Sequence, residues 1–139
     1  MLLDKITDAL SAKTLAPVAT NDLQAYVQFK DNDKFLADVD GKVKKKTAVN
    51  DVLNFIVPNP TENTTNAVAN LLEPSMLSIV NTDTIPHTVV IVMKDTTGVE
   101  MDAELYRALL DVGEKLEWTP EDKWQVYKAD GVKKNDNDI

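Results

Sequence analysis

The chain contains no cysteine, which excludes a disulfide framework, a thiolate metal site and a cysteine nucleophile together. It contains one histidine, His87, so a histidine-rich metal site is excluded and a Ser-His-Asp arrangement has a single candidate base. His87 follows Pro86 in a turn with no nucleophile signature around it, and reads as a polar residue at the mouth of a strand. Four glycines stand singly at 41, 98, 113 and 131, which leaves neither a phosphate-binding loop nor a dinucleotide fingerprint. No apolar run approaches the roughly 20 residues of a membrane helix. Met1-Leu2-Leu3 gives way at once to Asp4 and Lys5, so no signal-peptide core is expected.

What is present is ordinary in amount and uneven in placement. At 139 residues, 43% hydrophobic and 27% charged, the sequence suits one globular domain able to bury a core without staples. The net charge of −8 comes wholly from the second half. Residues 1–60 hold eight Lys and eight Asp, whereas residues 61–139 hold seven basic and fifteen acidic side chains. Such an acidic surface keeps the protein soluble and disfavours nucleic-acid phosphates.

Period and punctuation suggest the elements. Leu2, Leu3, Ile6, Ala9, Leu10 and Lys13 fit one face of a short helix that stops before Pro17. Leu23, Ala25, Val27 and Phe29 alternate with polar residues as a half-buried strand. A turn at Asp31-Asn32-Asp33, a return through Phe35-Leu36-Ala37 and a hairpin signal at Asp40-Gly41 lead into Lys42–Lys46, a charged edge strand closing a small meander. Thr47 caps a helix bearing Val49, Val52, Leu53 and Ile56, and Thr61 or Thr64 caps another bearing Ala67, Val68, Leu71 and Leu72. Met76–Val80 is short enough to favour a strand, paired antiparallel with Val89–Met93 across the loop Asn81–His87. That run of five apolar residues reads as the central strand, buried on both faces.

Two helix starts follow. Asp102-Ala103-Glu104-Leu105-Tyr106 opens a helix with Leu105, Ala108, Leu109, Val112 and Leu116 on one stripe, where Gly113 marks a close crossing. Thr119-Pro120-Glu121-Asp122 opens a second that carries Trp124 and Tyr127 and ends at Gly131, a left-handed terminator. The strand-helix-helix order of Thr88–Lys128, with these two starts, resembles the ribbon-helix-helix family of DNA-binding regulators. The resemblance implies a DNA-binding regulator whose strand reads the major groove.

The expected fold is therefore α+β: a small antiparallel sheet, made of a meander and a central apolar strand, with four to five short helices including a C-terminal helix pair. Residues 1–132 form the single domain and 133–139 a flexible polar tail. Asp31, Asp33, Asp38 and Asp40 fail the calcium-loop template, because its first and twelfth positions would be Leu36 and Thr47. No catalytic, cofactor-binding or metal-binding residue is expected, and no activity that depends on His87. The function expected is that of a non-catalytic structural or assembly protein, such as a small phage or virion accessory component. The alternative is an acidic inhibitor that blocks a basic site, with the ribbon-helix-helix regulator third. Protein partners, self or neighbouring subunits, would be held by Leu2, Leu3, Ile6, Trp118 and Trp124. Neither membrane nor nucleic acid is an expected partner, and the expected location is cytoplasm or virion, without secretion by a signal peptide.

Overall fold

The computed structural model describes residues 8–32, 40–57, 71–95 and 103–134. Nine strands account for its regular structure: β1 (Asp8–Thr14), β2 (Leu23–Asn32), β3 (Asp40–Val49), β4 (Asn54–Val57), β5 (Leu71–Val80), β6 (His87–Asp95), β7 (Ala103–Leu110), β8 (Lys115–Thr119) and β9 (Lys123–Tyr127). They form a four-stranded sheet, β4-β1-β6-β7, and a five-stranded sheet, β3-β2-β5-β8-β9. Every pairing is antiparallel. One hydrophobic cluster joins the inner faces, Leu10, Ala12, Ile56, Ile91 and Leu110 from the first sheet meeting Leu23, Val27, Phe29, Leu77, Ile79 and Leu116 from the second. This is a β-sandwich. Each fully buried Leu, Ile or Phe side chain contributes about 1.5–3 kcal/mol.

The α+β expectation is thus overturned: among the described residues there is no helix. The N-terminal helix expected over 2–13 is in part strand β1, inserted between β4 and β6. Its period was obscured because Ala9 and Ser11, on the outward face, are as fully buried as Leu10 and Ala12 on the inward one. The helix expected after Thr47 divides into the end of β3, a tight turn and β4. Asn50 Oδ1 shapes that turn, accepting from the Val52 N–H at 3.0 Å and from Asn54 Nδ2 at 3.2 Å. Of the next expected helix, residues 61–70 lie outside the described residues, and Leu71 and Leu72 begin β5.

The C-terminal helix pair becomes strand, turn and hairpin. In β7, Ala108 and Leu110 turn inward while Leu105 and Leu109 stay exposed. The supposed helical stripe was therefore largely an outward set of apolar residues. At Thr119-Pro120-Glu121-Asp122 the capping bond does form, from the Asp122 N–H to Thr119 Oγ1 at 3.1 Å, but it closes the β8–β9 hairpin. Lys123 completes that turn with a φ of 58°. Gly131 is left-handed as expected, at φ 88°, but sits in the turn after β9, where its N–H bonds the Lys128 carbonyl, and not at the end of a helix. Gly113 has a φ of 82° and sits so near Ala129 that an added Cβ would approach that side chain to 3.1 Å.

Other expectations hold. Leu23, Ala25, Val27 and Phe29 do alternate inward, and Lys42–Lys46 do lie on an edge strand, β3. Asp40-Gly41 lies within β3, opposite Asn32 and Asp31, so it is not the hairpin turn; Phe35-Leu36-Ala37 lies outside the described residues. Val89–Met93 is in β6, between β1 and β7. Met76–Val80 is strand too, but it belongs to the other sheet and does not pair with β6. Lys133 and Lys134, placed in the polar tail, run beside β9, where Lys133 bridges Tyr127 and the Lys134 N–H bonds the Val126 carbonyl at 2.7 Å.

Candidate functional site

Two features stand out, a polar network buried at one end of the sandwich and an apolar outward sheet face. The network begins at Asp83, in the β5–β6 loop. Its carboxylate accepts from the backbone N–H groups of Ala19 (2.8 Å), Thr20 (2.8 Å) and Asn21 (3.0 Å), all in the β1–β2 loop. It also lies 2.6 Å from His87 Nε2, with both side chains fully buried. A carboxylate only accepts, so the imidazole proton sits on Nε2. Burial works to raise the pKa of Asp83, but the bond to His87 and the three backbone donors outweigh it and hold the carboxyl well below the ordinary carboxylate range.

Asn81 extends the network to a third loop. Its Nδ2 donates to the carbonyls of Ile85 (2.9 Å) and Leu110 (3.0 Å), and its Oδ1 accepts from the Asp83 N–H at 3.0 Å. Its backbone bonds Gly113 and Glu114 in the β7–β8 turn. Glu114, nearly buried, accepts from the Asp111 N–H and pairs with Lys134 at 2.9 Å. Three loops and the segment after β9 are thereby fixed to one another. Sequence reasoning placed His87 at the strand mouth, where it is, but missed its partner. The signal was present as an Asn81-x-Asp83 turn with His87 four residues beyond Asp83.

Among the described residues His87 Nδ1 has no hydrogen-bond partner, and no group of three His, Asp or Glu side chains could hold a metal ion. A depression of about 600 Å³ beside the network is lined by Thr20, Asn21, Asp22, Gln24, Ala48 and Thr82, with Asp22 its one carboxylate.

The two outward faces differ. That of the five-stranded sheet is largely polar, with Gln24, Tyr26, Gln28, Lys44, Lys46, Ser78, Glu117 and Gln125. The four-stranded sheet turns Phe55, Val90, Val92 and Leu109 outward, with Leu15 and Leu53 beside them. Leu15 and Leu109 are each 52% exposed and Phe55 40%. A groove of about 310 Å³ runs over Val90 and Val92, walled by Lys13, Leu15, Leu53, Glu104 and Arg107.

The expected anchors fall elsewhere. Leu2, Leu3 and Ile6 lie outside the described residues. Trp118 is in the core, 5% exposed. Trp124 is half-buried, stacked on Tyr106 with ring centroids 4.9 Å apart and tilted against Trp118 at 6.4 Å. The aromatic group thus spans β7 of one sheet and β8–β9 of the other. The two helix starts behind the ribbon-helix-helix resemblance are strand and hairpin turn. Compared with protein-family models, with curated proteins and with solved structures, the chain matches none.

Proposed function

We propose that this chain is a non-catalytic assembly protein acting through protein–protein contacts, of the kind that a small phage or virion accessory component provides. The observation that carries the reading is the outward face of the four-stranded sheet. In an antiparallel sandwich the outer faces ordinarily alternate to polar, and the five-stranded sheet obeys. The four-stranded sheet instead leaves Leu15, Phe55 and Leu109 exposed beside a groove floored by Val90 and Val92, as an interaction surface does. These side chains stand on strands, on the β1–β2 loop tied by Asp83 or on the turn shaped by Asn50, so little conformational freedom is lost when a partner binds. His87 and Asp83, the residues best suited to proton transfer, are committed to holding loops.

The test is a pull-down from lysate of the native source, with wild-type protein beside Leu15→Glu and Leu109→Glu variants. Both positions are exposed, so the fold should survive, as circular dichroism would verify. Capture of partners is expected to fall sharply in both variants. Undiminished capture would remove this face from the function.

A further inference from the structure

The depression beside the Asp83 network has walls that the network itself holds. Asp83 fixes the backbone of Thr20 and Asn21 by accepting their N–H groups at 2.8 and 3.0 Å, and Thr82, its neighbour in sequence, belongs to the same lining. Three further bonds join the β1–β2 loop to the β5–β6 loop. Asn21 Nδ2 donates to the Thr82 carbonyl at 3.3 Å, Thr82 Oγ1 donates to the Asp22 carbonyl at 2.7 Å, and the Thr20 and Thr84 hydroxyls bond at 3.1 Å. Gln24 and Ala48, paired across β2 and β3, complete the lining. Asp22 is half-buried, and the other five lining residues are exposed.

What the lining offers selects a class of ligand. Among the described residues it includes no Lys or Arg, so nothing there neutralises a phosphate, and the Asp22 carboxylate repels an anion. Ala48 is its one wholly apolar side chain, too little for a lipid tail or a flat hydrophobic ligand. It presents instead two side-chain amides, two hydroxyls and a carboxylate. We propose that this depression binds a neutral saccharide. A sugar ring carries hydroxyls that each donate and accept, which is the complement of such a set. Asp22 Oδ2 takes only a long bond, 3.5 Å, from Asn50 Nδ2, so the carboxylate keeps lone pairs for sugar hydroxyls. The Gln24 amide donates and accepts, and Asn21 Oδ1 accepts beside the Nδ2 that holds Thr82. The volume of about 600 Å³ lies within the roughly 300–1,000 Å³ of ligand clefts. Because Asp83 sets the walls before a ligand arrives, little freedom is lost on binding. Tyr26, the next outward residue along β2, has its hydroxyl held by Gln28 Nε2 at 3.0 Å and gives a second ring of an oligosaccharide an aromatic body to lie against. The site is on the loops and on the five-stranded sheet, so this inference goes beyond the assembly reading and does not depend on it.

The test is a titration followed by amide resonances in ¹⁵N-labelled full-length protein. The probes are glucose, galactose, mannose and N-acetylglucosamine, with glucuronate as an anionic control and ethanolamine as a cationic one. At least one neutral sugar is expected to shift Thr20, Asn21, Asp22, Gln24 and Thr82 saturably, with a Kd on the order of 1 mM, as befits a small open site. Glucuronate should bind more weakly than its neutral counterpart glucose. Asp22→Asn should weaken sugar binding about tenfold and Gln24→Ala about fivefold, the loss of a charged and of a neutral hydrogen-bond partner. Both positions face the depression, so melting temperatures close to wild type are expected and the lost affinity reports lost contacts. No saturable shift with any of the four sugars, or shifts confined to other residues, overturns the inference. Ethanolamine shifting the same amides as strongly as the best sugar also overturns it, and leaves a carboxylate that attracts cations.

Discussion

At Asp83 one carboxylate collects four donors, three of them backbone N–H groups of the β1–β2 loop. Its charge therefore belongs to the fold, and stability should depend on it with a definite sign. A carboxyl whose folded pKa is depressed contributes stability that is complete above about pH 5 and erodes as pH falls below the unfolded value of about 3.9. Wild-type melting temperature is expected to be level near neutrality and to decline steeply in acid. Asp83→Asn should melt lower at pH 7 and show a shallower acid decline, since the titrating group is gone. Thermal denaturation of both proteins across pH 2–8 checks this. A variant with the wild-type acid profile would show that other carboxylates dominate it. Because the folded pKa lies so far below neutrality, the Asp83–His87 contact acts as a fixed tie between loops.

Among the elements, β6 is the one on which the four-stranded sheet depends. Ile91 is fully buried between β1 and β7, so Ile91→Asp places an unpaired charge in the core at a cost of several kcal/mol against a total stability of about 5–15 kcal/mol. Loss of cooperative melting is expected; a soluble variant with a sharp transition would place β6 at the periphery. This strand was legible in sequence because consecutive β-branched residues have few other uses. β2 was legible through strict alternation, and β3 through its lysines. What misled was local chemistry shared between helix and sheet. The Thr119 cap, the early proline and the left-handed Gly131 do locally in a hairpin what they would do in a helix. Leu105, Leu109 and Val112 matched a helical stripe, yet all three are exposed. Their spacing is that of a strand and turn whose outward side is also apolar, and a helical period is what such a pattern imitates.

For the whole molecule, that same misreading is informative, because the residues that disguised β7 include those of the surface assigned to assembly. The site was legible only as excess apolar content; its assembly from β1, β4, β6 and β7 depends on pairings distant in sequence. Trp118, a natural anchor by type, is used up between the sheets, and β1, which a deletion of residues 1–13 would remove, is an internal strand whose loss would unfold the protein. The acidic second half remains the competing source of affinity, and salt separates the two. Exposed charges are screened within about 8 Å at physiological ionic strength and about 3 Å at 1 M, whereas apolar burial is not weakened by such screening. The most direct measurement is therefore the native-lysate pull-down repeated at low and at high salt with wild-type protein and Leu109→Glu. Capture by the wild type is expected to persist in high salt and to be lost in Leu109→Glu at either concentration. Capture that disappears in high salt but survives Leu109→Glu would contradict assembly through the apolar face and identify the chain as an acidic binding module.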